Sequence, residues 1–338
     1  MKVTAALPSG VSALFFDSAR LRRRLEGNLV ELLEGCGYGE VILPILDYLE
    51  PYEPLLSTGS RGELYRFIDR DGEQLALRAD FTPMLARLLA PRLPSMELPL
   101  RLYYRGDVVR YHEERPGRQR ESHQMGAELL GVEGETAERE IFELFLSMLQ
   151  TCGLPRVRVV LGFAGSLDGL AATCAGDGGA GELLAAIDRR ERIALKGIEG
   201  APGRAVREVL EDGLPRDLMA LGPGMAENIR AVARLRDDLE RRFPDFQLNI
   251  DLAEFAGISR PEAGLPSTMA RSYYDGLLFR AYCSGGAQPV GSGGRYDSLF
   301  RGLGAQVAAV GFSLSMERVL AVPSVLLQDG KLCGAPPS

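Results

Sequence analysis

Between Arg110 and Gly131 the chain reads R-Y-H-E-E-R-P-G-R-Q-R-E-S-H-Q-M-G-A-E-L-L-G. An arginine at Arg110, closing an apolar run, can fork two N–H bonds onto a carboxylate or a phosphate, which a lysine does less well. Alone, such an arginine is more often half of a surface ion pair. Its company changes that reading: Gly117-Arg118, Arg120-Glu121, His123-Gln124, Gly126 and Glu128 follow closely. Gln124, Gly126 and Glu128 alternate along one predicted strand and so share a face. A Gln and a Glu on one face suit the ammonium group of an amino acid, although an isolated pair is commonly a solvated strand face.

Several elements must position these residues. Leu21, Leu25, Leu29, Leu32 and Leu33 have helical spacing and predict a helix over 12–35. Its Arg20, Arg22, Arg23 and Arg24 read more simply as a solvated face than as a nucleic-acid contact. Residues 41–45 read as a strand that Pro44 pushes towards a sheet edge or an interface. Residues 64–68 and 74–78 flank Asp71-Gly72, a strong hairpin signal. A helix over 81–89 precedes strands at 100–110 and 121–130, joined by a polar loop at 111–120, and a helix follows at 136–149. The stretch 155–244 changes character, with a strand at 157–161, a Gly/Ala-rich A-G-D-G-G-A-G and several helical patterns, the clearest at 226–243. Strand patterns resume at 246–252, 276–282 and 308–312, before a helix at 315–320. This is an α+β plan.

Composition narrows the function. The 338 residues, 46% hydrophobic and 25% charged, are those of an ordinary globular protein large enough to need no disulfide or metal staple. Five scattered cysteines without a C-x-x-C pair suggest reduced thiols, and only two histidines argue against a metal site. No long apolar run or leader pattern appears, so a cytoplasmic protein without a membrane span is expected. The net charge of −7, with only three lysines, lowers the expectation of RNA binding.

The residues of the first paragraph resemble the second class II motif of histidyl-tRNA synthetases, a family of aminoacyl-tRNA synthetases, which has a similar H-Q-x-G-x-E. Gly37-Tyr38 through Pro44 is similar to the first motif and implies that Pro44 lies at a homodimer interface. Leu77-Arg78-Ala79-Asp80-Phe81-Thr82 is similar to the family's L-R-P-E-G-T segment, implying Asp80 and Thr82 near a substrate amino group. Tyr104, six residues before Arg110, stands where the family has a substrate-contacting tyrosine. Tyr273-Tyr274 and Gly293-Gly294-Arg295-Tyr296-Asp297 match the Y-Y and G-G-R-Y-D elements, and imply that Tyr273 and Tyr274 line an imidazole pocket. G-F-S-L-S-M-E-R at 311–318 matches the third motif. Each piece is weak alone, but five in order over roughly 300 residues are specific. The resemblance implies a class II synthetase-like antiparallel sheet flanked by helices. Residues 1–154 and 245–321 would form its two parts, 155–244 a mostly helical insertion and 322–338 a short tail.

Departures from the synthetases divide the family. Met269 stands where they have an arginine four residues before the tyrosine pair, and Arg271 is two residues out of register. His112 replaces the glutamate of R-x-E, and Ser315 replaces a glycine that lets adenine approach. The expected anticodon-binding domain has no counterpart, so no tRNA partner is expected. L-R-A-D-F-T, G-R-Q-R-E and I-D-L-A-E-F resemble the synthetase-like regulatory subunits of ATP phosphoribosyltransferase, although about seventeen residues at 256–272 replace a short link. That resemblance implies a non-catalytic homodimer core within a hetero-oligomer, in histidine biosynthesis. Its partner would be the short-form catalytic subunit, and its effector histidine. Asp80, Thr82, Tyr104, Gln124, Glu128, Tyr273 and Tyr274 would hold the amino acid, with Arg110 near its carboxylate or another anion. No catalytic residue, cofactor or metal is implied. The alternatives are a minimal histidine-activating enzyme and a histidine- or RNA-sensing module of another complex.

Overall fold

The computed structural model describes residues 7–50, 64–111, 119–192, 198–258, 274–283, 286 and 288–322. In chain order the chain forms α1 (Phe16–Gly35), β1 (Gly39–Glu40), β2 (Leu46–Tyr48), β3 (Arg66–Ile68), β4 (Gln74–Leu77), α2 (Phe81–Leu89), β5 (Leu100–Val109), β6 (Glu121–Leu130) and α3 (Gly134–Thr151). There follow β7 (Arg158–Phe163), α4 (Asp168–Asp188), α5 (Gly200–Asp212), α6 (Pro223–Arg242), β8 (Gln247–Ile250), β9 (Leu277–Tyr282), β10 (Gly291–Arg295), α7 (Asp297–Gly302), β11 (Ala309–Ser315) and α8 (Met316–Leu320).

Eight strands make one sheet in the order β1-β5-β6-β11-β10-β9-β7-β8, and β2-β4-β3 make a second. The large sheet is antiparallel except at its two ends, where β1 joins β5 and β8 joins β7 in parallel. This is the α+β, largely antiparallel architecture expected. β7 and β8 thus complete the sheet, while α4, α5 and α6 lie between them in sequence.

One face of the sheet is the core. Its outward-alternating residues Tyr103, Met125, Ala127, Phe279, Phe312 and Leu314 are buried under α1 and α3. On α1, Leu21, Leu25, Leu29 and Leu33 repeat every four residues, so one stripe is covered. On α3, Phe145 centres an aromatic cluster, its ring 4.8 Å from Phe279 and 5.2 Å from Phe312. The hairpin of the small sheet turns at Gly72, whose φ of 89° suits glycine, with Asp69 accepting hydrogen bonds from the Asp71 and Glu73 amides at 2.9 Å each.

One expectation needs correction. Residues 41–45 are not a strand. Val41 still donates to the Tyr103 carbonyl at 2.8 Å, but Pro44 has no N–H, and the Leu43 and Pro44 carbonyls are taken by the Arg78 guanidinium at 2.6 and 3.0 Å. The G-G-R of Gly293-Gly294-Arg295 belongs to a central strand, β10. A Cβ on Gly293 would fall 2.3 Å from the Gly311 carbonyl oxygen, so the close packing of this strand demands glycine. The Gly/Ala-rich stretch lies within α4, interrupted at Gly176, whose φ of 67° and ψ of 171° are not helical.

Phe145 is fully buried among Phe142, Phe279 and Phe312. Phe145→Ala is expected to cost about 3–5 kcal/mol of unfolding free energy, measured by chemical denaturation.

Candidate ligand-binding cleft

The opposite face of the sheet is built differently. Paired residues of antiparallel strands share a face, so the register sets Tyr104, Gly126, Ser313, Ser292 and Arg280 in one row across five strands. The next row is Leu102, Glu128, Gly311, Gly294 and Leu278. Large side chains therefore stand at the two sides, and apart from Glu128 only glycine and serine lie between them. The result is a cleft of about 420 Å³ with a backbone floor.

One wall comes from α2 and β5. Asp80 caps α2, accepting from the Thr82 amide at 3.2 Å. Arg110, just past β5, donates to the Ala79 carbonyl at 2.7 Å and to the Asp80 carboxylate at 3.2 Å. Arg110 is thus the ion-pair partner of Asp80 while lining the cleft. Tyr104 is buried, its ring stacked 4.2 Å from Phe81, on which the Arg78 guanidinium sits at 3.8 Å. A Cβ on Gly126 would lie 2.4 Å from the Tyr104 hydroxyl, so this tyrosine leans over the floor only because position 126 is glycine.

Glu128 lies beneath the cleft rather than on its wall. It is 1% exposed, accepts from the Thr82 hydroxyl at 2.7 Å, and accepts from the Tyr296 hydroxyl. A Cβ on Gly311 would collide with the Glu128 carboxylate. Burial pushes the Glu128 carboxyl up to about 7, against the hydrogen bonds from Tyr296 and Thr82 that pull it down. Burial, followed by the Glu128 and Asp80 charges, likewise holds the Tyr104 phenol well above its ordinary range.

Asp80, Thr82, Tyr104, Arg110, Gln124 and Tyr274 line this one cleft. Tyr274 is fixed through its neighbour Asp275, whose carboxylate accepts from the Asp297 and Ser298 amides at 3.1 and 2.7 Å. The Gln124 Oε1 is shut off from solvent and has no hydrogen-bond donor among the described residues. Such an orphaned acceptor costs on the order of 1–3 kcal/mol until a donor arrives. Tyr273, Met269, Arg271, His112, Gly117 and Arg118 lie outside the described residues, as does most of the 256–272 segment. Ser315 lines the cleft, its hydroxyl 3.3 Å from that of Ser122. Pro44 is exposed, away from the cleft and close to exposed Ile42, Ile45, Leu46 and Tyr48. The sequence reading passed over Arg280, Tyr282 and Phe255 on the far wall. Leu278, Arg280 and Tyr282 alternate on β9, and that period was the available signal. Among the described residues no group of His, Cys, Asp or Glu is placed to hold a metal, and no helix is long and apolar enough to cross a membrane.

Fold and cleft together define a protein of the class II aminoacyl-tRNA synthetase type. The histidyl-tRNA synthetase family matches residues 10–319. The ATP phosphoribosyltransferase regulatory subunit of Symbiobacterium thermophilum is 33% identical over 343 residues, covering 98% of this chain and 82% of the relative. That of Moorella thermoacetica is 34% identical over 329 residues, covering 93% and 81%. A crystal structure from Bacillus halodurans, described as an ATP phosphoribosyltransferase regulatory subunit/histidyl-tRNA synthetase, superposes with a TM-score of 0.79 at 23% identity, covering 95% of this chain and 84% of that one. The chain belongs to the ATP phosphoribosyltransferase regulatory subunits, within the histidyl-tRNA synthetase family.

The Glu128 carboxyl gives a pH test. Below about 4.5 it is protonated in folded and unfolded chains alike; from there to about 7 only the unfolded chain releases its proton. Stability therefore falls as pH rises through that window and is level above it. Against Glu128→Gln, the wild type is expected to lose about 3 kcal/mol between pH 4 and 8 in denaturant titrations. Parallel curves would show that Glu128 does not titrate there.

Proposed function

We propose that this chain is the non-catalytic regulatory subunit of an ATP phosphoribosyltransferase. It would be required by a short-form catalytic subunit for the first step of histidine biosynthesis and for feedback by histidine. What supports this is the family membership, together with one observation that carries the ligand assignment. Among the described residues, the Gln124 Oε1 is buried without a donor on the floor of a cleft whose near wall is Asp80, Thr82 and Tyr104. An amino acid brings an ammonium group to a place that lacks a donor, and Asp80 supplies the opposite charge.

In this reading histidine sits at the Asp80 end with its ammonium group towards Asp80, Thr82 and Gln124. Tyr104, Tyr273 and Tyr274 surround it, and Arg110 stands near its carboxylate. Glu128 acts from below, holding Thr82 and Tyr296 in place. Feedback requires that histidine bind one state of the assembly more tightly than the other, since equal affinity shifts nothing. The protein works as a homodimer through the segment around Pro44, where Ile42 is 86% and Tyr48 54% exposed. It acts in the cytoplasm and without tRNA. Ser315, placing a hydroxyl on the cleft floor where the synthetases have glycine, fits a chain that no longer activates its amino acid.

Calorimetric titration of the chain with histidine is expected to show binding that Gln124→Leu and Glu128→Ala each weaken by about tenfold or more. Isotherms identical to wild type would remove those residues from the site. Phosphoribosyl transfer is expected only when the short-form catalytic subunit and this chain are mixed. Histidine-dependent exchange of pyrophosphate into ATP at a synthetase-like rate, by this chain alone, would overturn the reading in favour of a histidine-activating enzyme.

A further inference from the structure

The wall that carries Asp80 and Thr82 is fastened to an exposed segment of the chain at two points, both by arginines. Arg78 is 7% exposed and sends Nη1 to the Leu43 and Pro44 carbonyls at 2.6 and 3.0 Å. Its Nε and Nη2 go to the Asp107 carbonyl of β5 at 3.2 and 2.7 Å, and its amide donates to the Ile45 carbonyl at 2.8 Å. In the last turn of α2, Arg87 donates to the Asp47 carboxylate of β2, from Nε at 3.1 Å and from Nη2. β2 in turn pairs with β4, the strand that leads into Arg78. Leu43 packs against the Leu49, Ala76 and Met84 cluster on one side and the Phe81, Tyr104 and Val108 cluster on the other. Residues 42–48, β4 and α2 are thus tied into one piece.

The Arg78 guanidinium is also the first layer of a stack that ends in the cleft. It lies 3.8 Å from the Phe81 ring centroid, and Phe81 lies 4.2 Å from Tyr104 with the two rings 8° from parallel. Gly106 makes room for this arrangement: its φ is 153°, and a Cβ there would lie 2.9 Å from Arg78 Nη2 and 3.1 Å from the Phe81 ring. Layers packed this closely pass a displacement on rather than absorb it. Arginine suits the task, because its planar fork holds carbonyls of two segments while its face stays on a ring, which a lysine cannot do. The other end of the linkage is apolar and open to solvent at Ile42, Ile45, Leu46 and Tyr48. The carbonyls that Arg78 holds belong to residues inside that stretch. Whatever covers the surface therefore bears on Leu43 and Pro44, and through the guanidinium on Phe81 and Tyr104.

We propose that Arg78 is a positioning residue that couples the surface at 42–48 to the near wall of the cleft. Pairing of two copies through that surface and binding of histidine then change each other's affinity, by the same factor in both directions. The inference rests on the reading of that surface as the homodimer contact and of the Asp80 end as the amino-acid site. It adds that the two are energetically linked, and names the side chain that links them.

The test measures the dimer dissociation constant of the full chain by sedimentation, with and without saturating histidine. Calorimetry then gives the histidine affinity at chain concentrations above and below that constant. In the wild type each event is expected to shift the other by about fivefold or more, and by equal factors. In Arg78→Lys the factor is expected to fall towards one while the chain still dimerises and still binds histidine. Phe81→Leu, which keeps an apolar side chain but removes the ring between the guanidinium and Tyr104, is expected to do the same, and decides alone should Arg78→Lys not fold. A factor of one in a wild type that both dimerises and binds histidine would overturn the inference, as would an undiminished factor in either folded variant. A second arm needs no histidine: Ile42→Glu is expected to break the dimer and to alter deuterium exchange at the α2 amides, and unaltered exchange would equally overturn it. A wild type that stays monomeric would sink the dimer reading and the inference with it. Absence of histidine binding, with α2 still answering Ile42→Glu, would remove the amino-acid reading and leave the linkage standing.

Discussion

A single buried carboxylate organises the site. Glu128 sits below the cleft floor with one oxygen accepting from Thr82 and the other from Tyr296. Those two partners come from α2 and from the segment between β10 and α7, elements far apart in sequence that must reach the same point on β6. Isolating a carboxyl from water costs several kcal/mol unless it is neutralised or hydrogen-bonded. Here both means are used: two hydroxyl donors clasp it, and its proton affinity is raised by burial. The clasp sets where Thr82 stands, and the Asp80 cap on the same turn then follows.

The sheet separates two tasks by strand parity. Odd-numbered residues of β6, such as Met125, Ala127 and Leu129, go to an apolar core sealed by α1 and α3, whereas Gln124, Gly126 and Glu128 face the cleft. One exception lies on the core side at the strand's start. His123 is nearly buried, with Nδ1 2.7 Å from Asp107 and Nε2 3.3 Å from Glu26, which also accepts from Arg22 at 2.7 Å and Arg23 at 2.8 Å. Two arginines of α1, read from sequence as a solvated face, thus hold a buried carboxylate against the sheet. Glu317 of α8 grips the same strand from its end, accepting from the His123 amide at 2.8 Å and the Ser122 hydroxyl at 3.0 Å.

Periodicity and turn chemistry made most elements legible in the sequence. The α1 leucines, the Asp71-Gly72 hairpin and the long β5–β6 pair stand where their patterns place them. β10 was hidden because glycine leaves no alternation to read, and its strand character comes from neighbours that tolerate nothing larger. Residues 41–45 misled because their β-branched apolar run signals pairing, while Pro44 and the reach of Arg78 divert the backbone carbonyls elsewhere. The near wall of the cleft was legible through the motif resemblance, which singled out Asp80, Thr82, Tyr104 and Gln124, all of which line it. What the sequence did not disclose is depth: Glu128 and Gln124 share a face, yet one lies under the floor and the other on it. Arg280 was obscure for a similar reason, since its facing depends on a register spanning four strand pairs.

The glycine floor also bears on how such a cleft can diverge. At Gly126 and Gly311 the smallest possible side chain already meets a neighbour at 2.4 Å or less, so no graded series of sizes exists there. Replacement is all or nothing, and the floor is in effect frozen. Any drift in ligand preference among descendants of this scaffold must be written on its flanks, at Tyr274 or Arg280, where one residue can be exchanged for another without the bed beneath it changing shape.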